Sequence, residues 1–236
     1  MGTDFVVGRN RVPSPAAGTI AVRKALDELM GRAYPACLSS LFVASEDLIR
    51  QAKKAWRERL SHGRAALSER VLADRAEALA RTLSDWAATC SGGTVCAYAP
   101  IGAEPGSPAL LSSLLDAGCR VLLPVVTGRS PLAWSEHTGE LLPARYGLLE
   151  PPGPRLDASA IGEADAVLVP ALAVDRRGVR LGRGAGHYDR SLPLIRPGTP
   201  LIAVVHPEEF VDELPGEEHD IRMTAVLVPH ADVRPL

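Results

Sequence analysis

The stretch AVLVPALAVDRRGVRLGRGAGHYDR, residues 166–190, runs from an apolar strand pattern straight into a ribbon of glycine and arginine. Residues 166–175 are almost continuously apolar. That pattern predicts a strand covered on both faces, as in a parallel sheet flanked by helices. Then Gly182, Gly184 and Gly186 alternate with other residues, and Arg180, Arg183 and Arg190 surround them. Glycines let backbone N–H groups approach oxygens that a side chain would block. A helix start after the loop adds partial positive charge, and arginines add forked, charge-assisted hydrogen bonds. A strand, a glycine loop and a helix start is the place where open α/β sheets take ligands. The loop is therefore read as a wrap for the phosphates of a nucleotide. It has no G-K-[ST] and is no Walker loop, and GxGxG followed by His-Tyr-Asp is not a dinucleotide fingerprint. Its glycines taken alone fit a surface turn equally well. Asp189 has two readings, a cap for the following helix with Pro193 in the first turn, or a ligand for Mg²⁺.

The same alternation extends outward. Ser45 is expected to cap a first helix that carries Lys53, Lys54, Arg57 and Arg59 and is closed by Gly63. A second helix is predicted from Ser68 to Thr89, with Leu72, Ala76, Leu79, Leu83 and Trp86 on one stripe. Strands follow at 94–100, 119–126, 131–137, 200–207 and 225–230, with a helix at 107–118 that has Ser107 as cap, Pro108 first and Gly118 behind it. The fold class expected is α/β, a three-layer α/β/α sandwich with a mostly parallel sheet. Residues 1–44 are punctuated by proline and glycine and read as an N-terminal extension, partly disordered, with one amphipathic piece at 19–30. Residues 45–236 read as a single domain.

A net charge of -2 argues against a nucleic-acid coat, which needs a broad basic field. No apolar run approaches a membrane span of roughly 18 residues. Asp4, Arg9 and Arg11 break up any signal-like start. Cys37, Cys90, Cys96 and Cys119 lack CxxC spacing, so they read as reduced thiols of a cytoplasmic protein, with Cys96 and Cys119 in core strands.

The segment VPALAVDRRGVRLGRGAGHYDR resembles the signature of the 5-formyltetrahydrofolate cyclo-ligase (5,10-methenyltetrahydrofolate synthetase) family. The likeness includes KKAWRERL on the first helix, AYAPIGAEPGSPALL, YGLLEPP and ELPGEEHDIRM, and extends over roughly residues 50–230. The resemblance implies a ligase of folate and one-carbon metabolism. It would close 5-formyltetrahydrofolate to 5,10-methenyltetrahydrofolate through a phosphorylated formyl group, with ATP and Mg²⁺ as cofactors and ADP and phosphate released. It also implies a chain acting on small molecules, without nucleic acid or membrane, as a monomer or weak dimer.

Residue by residue, the resemblance implies Lys53 and Arg183 as the catalytic cations. It places ATP against Lys53, Arg57, Arg180, Gly182, Arg183, Gly184, Ala185, Gly186 and Tyr188. It places the folate against Arg57, Glu104, Arg183, Gly184, Gly186 and His187, and the metal on Asp189. Lys53 and Arg57 lie four apart and share a helix face, so they are expected to converge on one ligand; as a bare pair they equally suit a solvated basic face. Glu104 suits the N–H donors of a pterin, and otherwise reads as a loop acid before Pro105. Tyr188 would pack on a ring, or serve as a core residue at a helix start. Two positions depart from the family's pattern. His187 stands where the family often has an aromatic, and Thr224 stands where it usually has an acid associated with the metal, with Asp220 four residues earlier. Weaker or rearranged metal binding is expected in consequence. Two further readings remain: a family member that binds folate or nucleotide without turnover, and a sugar-phosphate isomerase of similar layered fold.

Overall fold

The computed structural model of the chain describes residues 35–217 and 220–236. The amphipathic piece expected at 19–30 lies outside the described residues. The chain divides into two compact units, Met1–Ala52 and Lys53–Leu236. In the first, the described part is helical and carries an exposed Asp47–Arg50 ion pair one turn apart.

Helix α1 spans Pro35–Ala65. Ser45 lies inside it rather than at its start, and Gly63 lies in its last turn rather than beyond it, because the following Ala66 still bonds to His62 and Gly63 carbonyls. The boundary expected after residue 44 falls within this helix. Helix α2 (Glu69–Ala88) starts as expected, with Ser68 Oγ accepting the Val71 N–H at 3.4 Å. Strand β1 (Thr94–Cys96) is followed by α3 (Pro108–Asp116), which Ser107 caps with Pro108 in the first turn. Then come β2 (Arg120–Val125), β3 (Ala133–His137), β4 (Leu142–Pro143), β5 (Leu149–Glu150), β6 (Arg155–Leu156), β7 (Ala166–Pro170), β8 (Ala173–Asp175) and β9 (Arg180–Leu181). Helix α4 (His187–Ser191) is short, and β10 (Leu201–Val204), β11 (Phe210–Val211), β12 (Ala225–Leu227) and β13 (Arg234–Pro235) complete the chain.

The main sheet has eight strands in the order β13-β12-β10-β7-β1-β2-β3-β6. The pairs from β12 through β2 are parallel, and β13, β3 and β6 add antiparallel edges. Along β2 the side chains alternate between faces, as a period of two requires. Val121 and Leu123 join Leu79, Leu83, Leu110 and Leu114 under α2 and α3. Leu122 joins Trp134, Ile161, Val167 and Leu192 on the other face. That second layer is thin, made of α4 and the 3₁₀ turns at Ala158–Glu163 and Leu192–Leu194. Cys96 and Cys119 are both buried in this core, Cys119 just before β2. Among the described residues no helix is long and apolar enough to cross a membrane.

The run 166–175 is not one strand. It breaks after Pro170, and β8 leaves the main sheet for a small one of order β11-β8-β9. Pro170 has no N–H to continue a ladder, which suits the end of a strand. The small sheet has its own core, in which Trp56 and Leu60 of α1 pack on Leu172, Val179, Leu181 and Leu214. Truncating Leu60 to alanine there would cost about 2–5 kcal/mol. This packing seats the basic half of α1 against the hairpin that carries the glycine loop.

Candidate active site

The loop emerges from the β8–β9 hairpin, and a buried carboxylate shapes that hairpin. Asp175 is wholly buried. Its Oδ1 accepts the N–H groups of Arg177 and Val179, each at 2.9 Å, and its Oδ2 accepts that of Leu214 at 3.0 Å. Gly178 turns the hairpin at φ +78° with its missing side chain facing the Met223 backbone, so no other residue fits there without displacing that segment. The Gly178 carbonyl in turn accepts the Met223 N–H at 2.8 Å.

Beyond β9 the loop turns back over α1. Arg57 Nε donates to the Gly182 carbonyl at 2.9 Å. Gly184 has φ +100°, and a Cβ on it would stand 3.4 Å from the Arg57 guanidinium carbon. The glycine thus serves both the left-handed backbone and the close approach of the cation. Arg180, its side chain almost wholly buried, donates to Pro170 O at 3.4 Å, bonds to Asp189, and lies 5.6 Å from the centre of the Tyr188 ring. Arg183 reaches outward to Glu104 at 3.1 Å. These contacts surround a cleft of about 430 Å³ lined by Arg57, Ser61, Arg64, Ala103, Leu172 and Arg183, among others.

Most of the expected site residues therefore meet. Arg57 and Arg183 line the cleft, with Gly182 and Gly184 against Arg57 and Glu104 against Arg183, and Arg180, Tyr188 and Asp189 gather at the carboxyl end of β7. Ala185 is exposed at the tip of the loop, and its carbonyl and Nδ1 of the His187 ring both receive the Arg190 guanidinium, at 3.0 and 3.3 Å. Gly186 stands at the N-cap of α4. Asp189 lies inside α4, so the reading of it as a cap is corrected. Lys53 and Arg57 have different partners in this structure. One turn earlier on α1, Lys53 donates to Glu217 at 2.8 Å and Asp220 at 3.2 Å, and it is absent from the cleft lining.

The electrostatics differ from group to group. Burial raises the Glu104 carboxyl above the ordinary carboxylate range, opposed by Arg183, the Ile101 N–H and Arg64. Burial lowers the His187 imidazole, and the adjacent Arg190 lowers it further. The Tyr188 phenol is pushed up strongly by burial, and its hydroxyl has no hydrogen-bond partner among the described residues. Asp189 is two-thirds exposed, 67% in its side chain. Among the described residues no three His, Cys, Asp or Glu side chains cluster to hold a metal. One open carboxylate beside the glycine loop would fit Mg²⁺ brought in on phosphate oxygens and water, not a cage made by the protein.

Thr224 proves to stand elsewhere. Its hydroxyl accepts the Leu201 N–H at 2.9 Å and donates to the Leu201 carbonyl at 3.3 Å, clamping the amino ends of β10 and β12. The glycine loop lies at the opposite, carboxyl end of β7, where Arg180 reaches Pro170 O. The sequence reading also passed over Arg64, His206 and Glu209. Arg64 reads as one more basic residue at the end of a helix and Glu209 as a loop acid. No spacing joins residues 145 positions apart.

Comparison with known proteins bears on the family and the fold. Residues 49–229 match the 5-formyltetrahydrofolate cyclo-ligase family. The chain is 50% identical over 185 residues to the 5-formyltetrahydrofolate cyclo-ligase of Mycolicibacterium smegmatis, covering 76% of this chain and 94% of that one. It is 33% identical over 141 residues to the enzyme of that name from Escherichia coli K12, covering 58% and 78% of the two chains. The NMR structure of Aquifex aeolicus 5,10-methenyltetrahydrofolate synthetase superposes with a TM-score of 0.66 at 26% identity, over 78% of this chain and 92% of that one. The Mycoplasma pneumoniae synthetase shares the fold, with a TM-score of 0.59 at 19% identity over 75% and 97% of the two chains. A match to the family over residues 49–229, a shared fold and one residue in two held in common with a named enzyme over nearly its whole length place this chain in the 5-formyltetrahydrofolate cyclo-ligase family.

Proposed function

We propose that the protein closes 5-formyltetrahydrofolate to 5,10-methenyltetrahydrofolate at the expense of ATP, in the cleft between α1, the Glu104 loop and the glycine loop. The observation that carries this reading is the Arg183–Glu104 bridge at 3.1 Å, which sets a phosphate-binding loop beside an acid suited to a pterin. A formamide oxygen leaves poorly as hydroxide. Its attack on the γ-phosphorus breaks the bond to the β-phosphate oxygen and releases ADP. The N10 amine then adds to the formyl carbon and gives up its proton. The C–O bond breaks, phosphate departs, and the cationic ring is closed. Such a transfer depends mainly on alignment and on neutralising charge.

Each residue has a task in this scheme. Arg57, braced on Gly182 O, and the backbone amides of 182–186 hold the triphosphate. Arg180 and Arg183 exchange their carboxylate partners for phosphate oxygens, so the pairs Arg180–Asp189 and Arg183–Glu104 open together on binding. The freed Glu104 accepts N–H bonds from the pterin, and the freed Asp189 holds Mg²⁺. When bound, that ion neutralises phosphate charge. Arg183, which can reach both ligands, stabilises the transferring group. Tyr188 packs its ring beneath Arg180, and His187 supports the folate side of the loop. Lys53 acts at the far rim, where it ties the segment of Glu217 and Asp220 to α1.

The test is the absorbance of methenyltetrahydrofolate formed by purified protein from 5-formyltetrahydrofolate. The product is expected with ATP and millimolar Mg²⁺, and not when ATP is left out or the metal is chelated. Binding without turnover under all conditions would refute the reading.

A further inference from the structure

Glu104 stands on a loop, residues 101–106, that is held at three points. Tyr98, at the end of β1, donates its hydroxyl to Pro105 O at 2.6 Å. Glu104 Oε2 accepts the Ile101 N–H at 3.1 Å. The third point is His206 Nε2, 3.1 Å from Ala103 O. A carbonyl only accepts, so this nitrogen is the donor.

His206 is itself fixed from below. It is 1% exposed, and its backbone N–H donates to Glu209 Oε2 at 2.8 Å. Glu209 is 2% exposed and grips Arg64 in a fork, with Arg64 Nε to Oε1 at 2.6 Å and Nη2 to Oε2 at 2.8 Å. Arg64 rises from the last turn of α1, is 6% exposed, and lines the cleft. A continuous buried polar path thus runs from α1 through the 206–209 turn to the residue beside Glu104, whose Oε1 meets Arg183 of the glycine loop. A buried ion pair is a poor source of stability, because desolvation offsets its attraction, and a well-packed apolar pair often does as well. What the pair supplies here that an apolar pair cannot is a directed anchor for His206.

We infer that Arg64 and Glu209 are positioning residues for substrate binding: through His206 they hold the Ala103 carbonyl and so fix where the Glu104 carboxylate stands beside Arg183. The inference rests on the folate-binding role proposed above for Glu104. It makes the pair a determinant of folate affinity and not of phosphoryl transfer.

Two variants test it in the full chain. His206→Phe keeps a ring of similar size and removes the donor. Arg64→Met combined with Glu209→Leu replaces the ion pair by an apolar one, since Arg64→Met alone would leave a buried carboxylate unpaired and unfold the chain. Both are expected to fold. In both, KM for 5-formyltetrahydrofolate should rise about tenfold, while kcat and KM for ATP stay within about twofold, the mark of lost ground-state binding to one substrate. Amide hydrogen exchange at 101–106, measured without any ligand, should quicken about tenfold. Wild-type exchange rates in both folded variants overturn the inference. Should the wild-type chain show no turnover, the functional reading falls, and the exchange rates still decide the positioning.

Discussion

Two aspartates bracket the glycine loop, and their environments are opposite. Asp175 stands at the hairpin end, wholly buried, with three backbone N–H groups on its oxygens. Asp189 stands at the helix end, 67% exposed, facing Arg180 alone among the described cations. The first carboxylate has spent its capacity on the chain around it. The second holds one partner and keeps its remaining lone pairs open to solvent. The same side chain is scaffold on one side of the loop and solvent-facing on the other, the contrast that the proposed metal role of Asp189 depends on.

The largest effect that would sharpen this contrast is on turnover. Asp189→Ala should lower kcat by about a hundredfold or more in the methenyltetrahydrofolate assay, the scale of losing one charge-stabilising group. The chain should still fold, with a thermal midpoint lowered only by the loss of the carboxylate partner of the buried Arg180 guanidinium. Full activity would remove Asp189 from the chemistry. Asp175→Ala should do the reverse. It strands the Val179 and Leu214 N–H groups, so denaturant unfolding should show a loss of about 3 kcal/mol. An unchanged midpoint would break the comparison from the other side.

A third, smaller effect concerns Arg183, the cation proposed to reach both ligands. Arg183→Ala should weaken ATP or folate binding about tenfold in titration calorimetry, as expected for a charge-assisted contact at a half-open position. Unchanged affinity for both would count against the loop. The smallest effect is a pH dependence. Burial holds the Glu104 pKa above its unfolded value, so the native state binds the extra proton. Stability from this group is full below the ordinary carboxylate range and falls as pH rises through the raised value. Glu104→Gln should therefore gain on the wild type in urea melts as pH rises from about 4 to 7, by less than about 1 kcal/mol given its partial exposure. A gap that narrows with rising pH would contradict this assignment.

The parts of the fold that were legible in the sequence are those governed by short-range chemistry. Ser68 and Ser107 capped the helices they precede, and the apolar runs at 119–126 and 200–207 formed central strands. The loop glycines stood where backbone and cation approach most closely. The misreadings came where a local pattern met a distant constraint. Residues 166–175 look like one strand because both halves are equally apolar, but the second half is buried in another sheet, against Trp56 and Leu60. Ser45 and Gly63 have the chemistry of helix ends, but backbone bonding carries α1 past both.

Periodicity, caps and the strand order of apolar runs were enough to assign the fold class, because each depends on neighbours within a few positions. The arrangement of charges around the glycine loop was not within their reach. Whether Asp175 or Asp189 is open to solvent, where Thr224 falls along the sheet, and how Arg64 meets Glu209 are settled by packing between segments far apart in the chain. Burial and pairing are properties of the assembled interior, and no residue carries them alone.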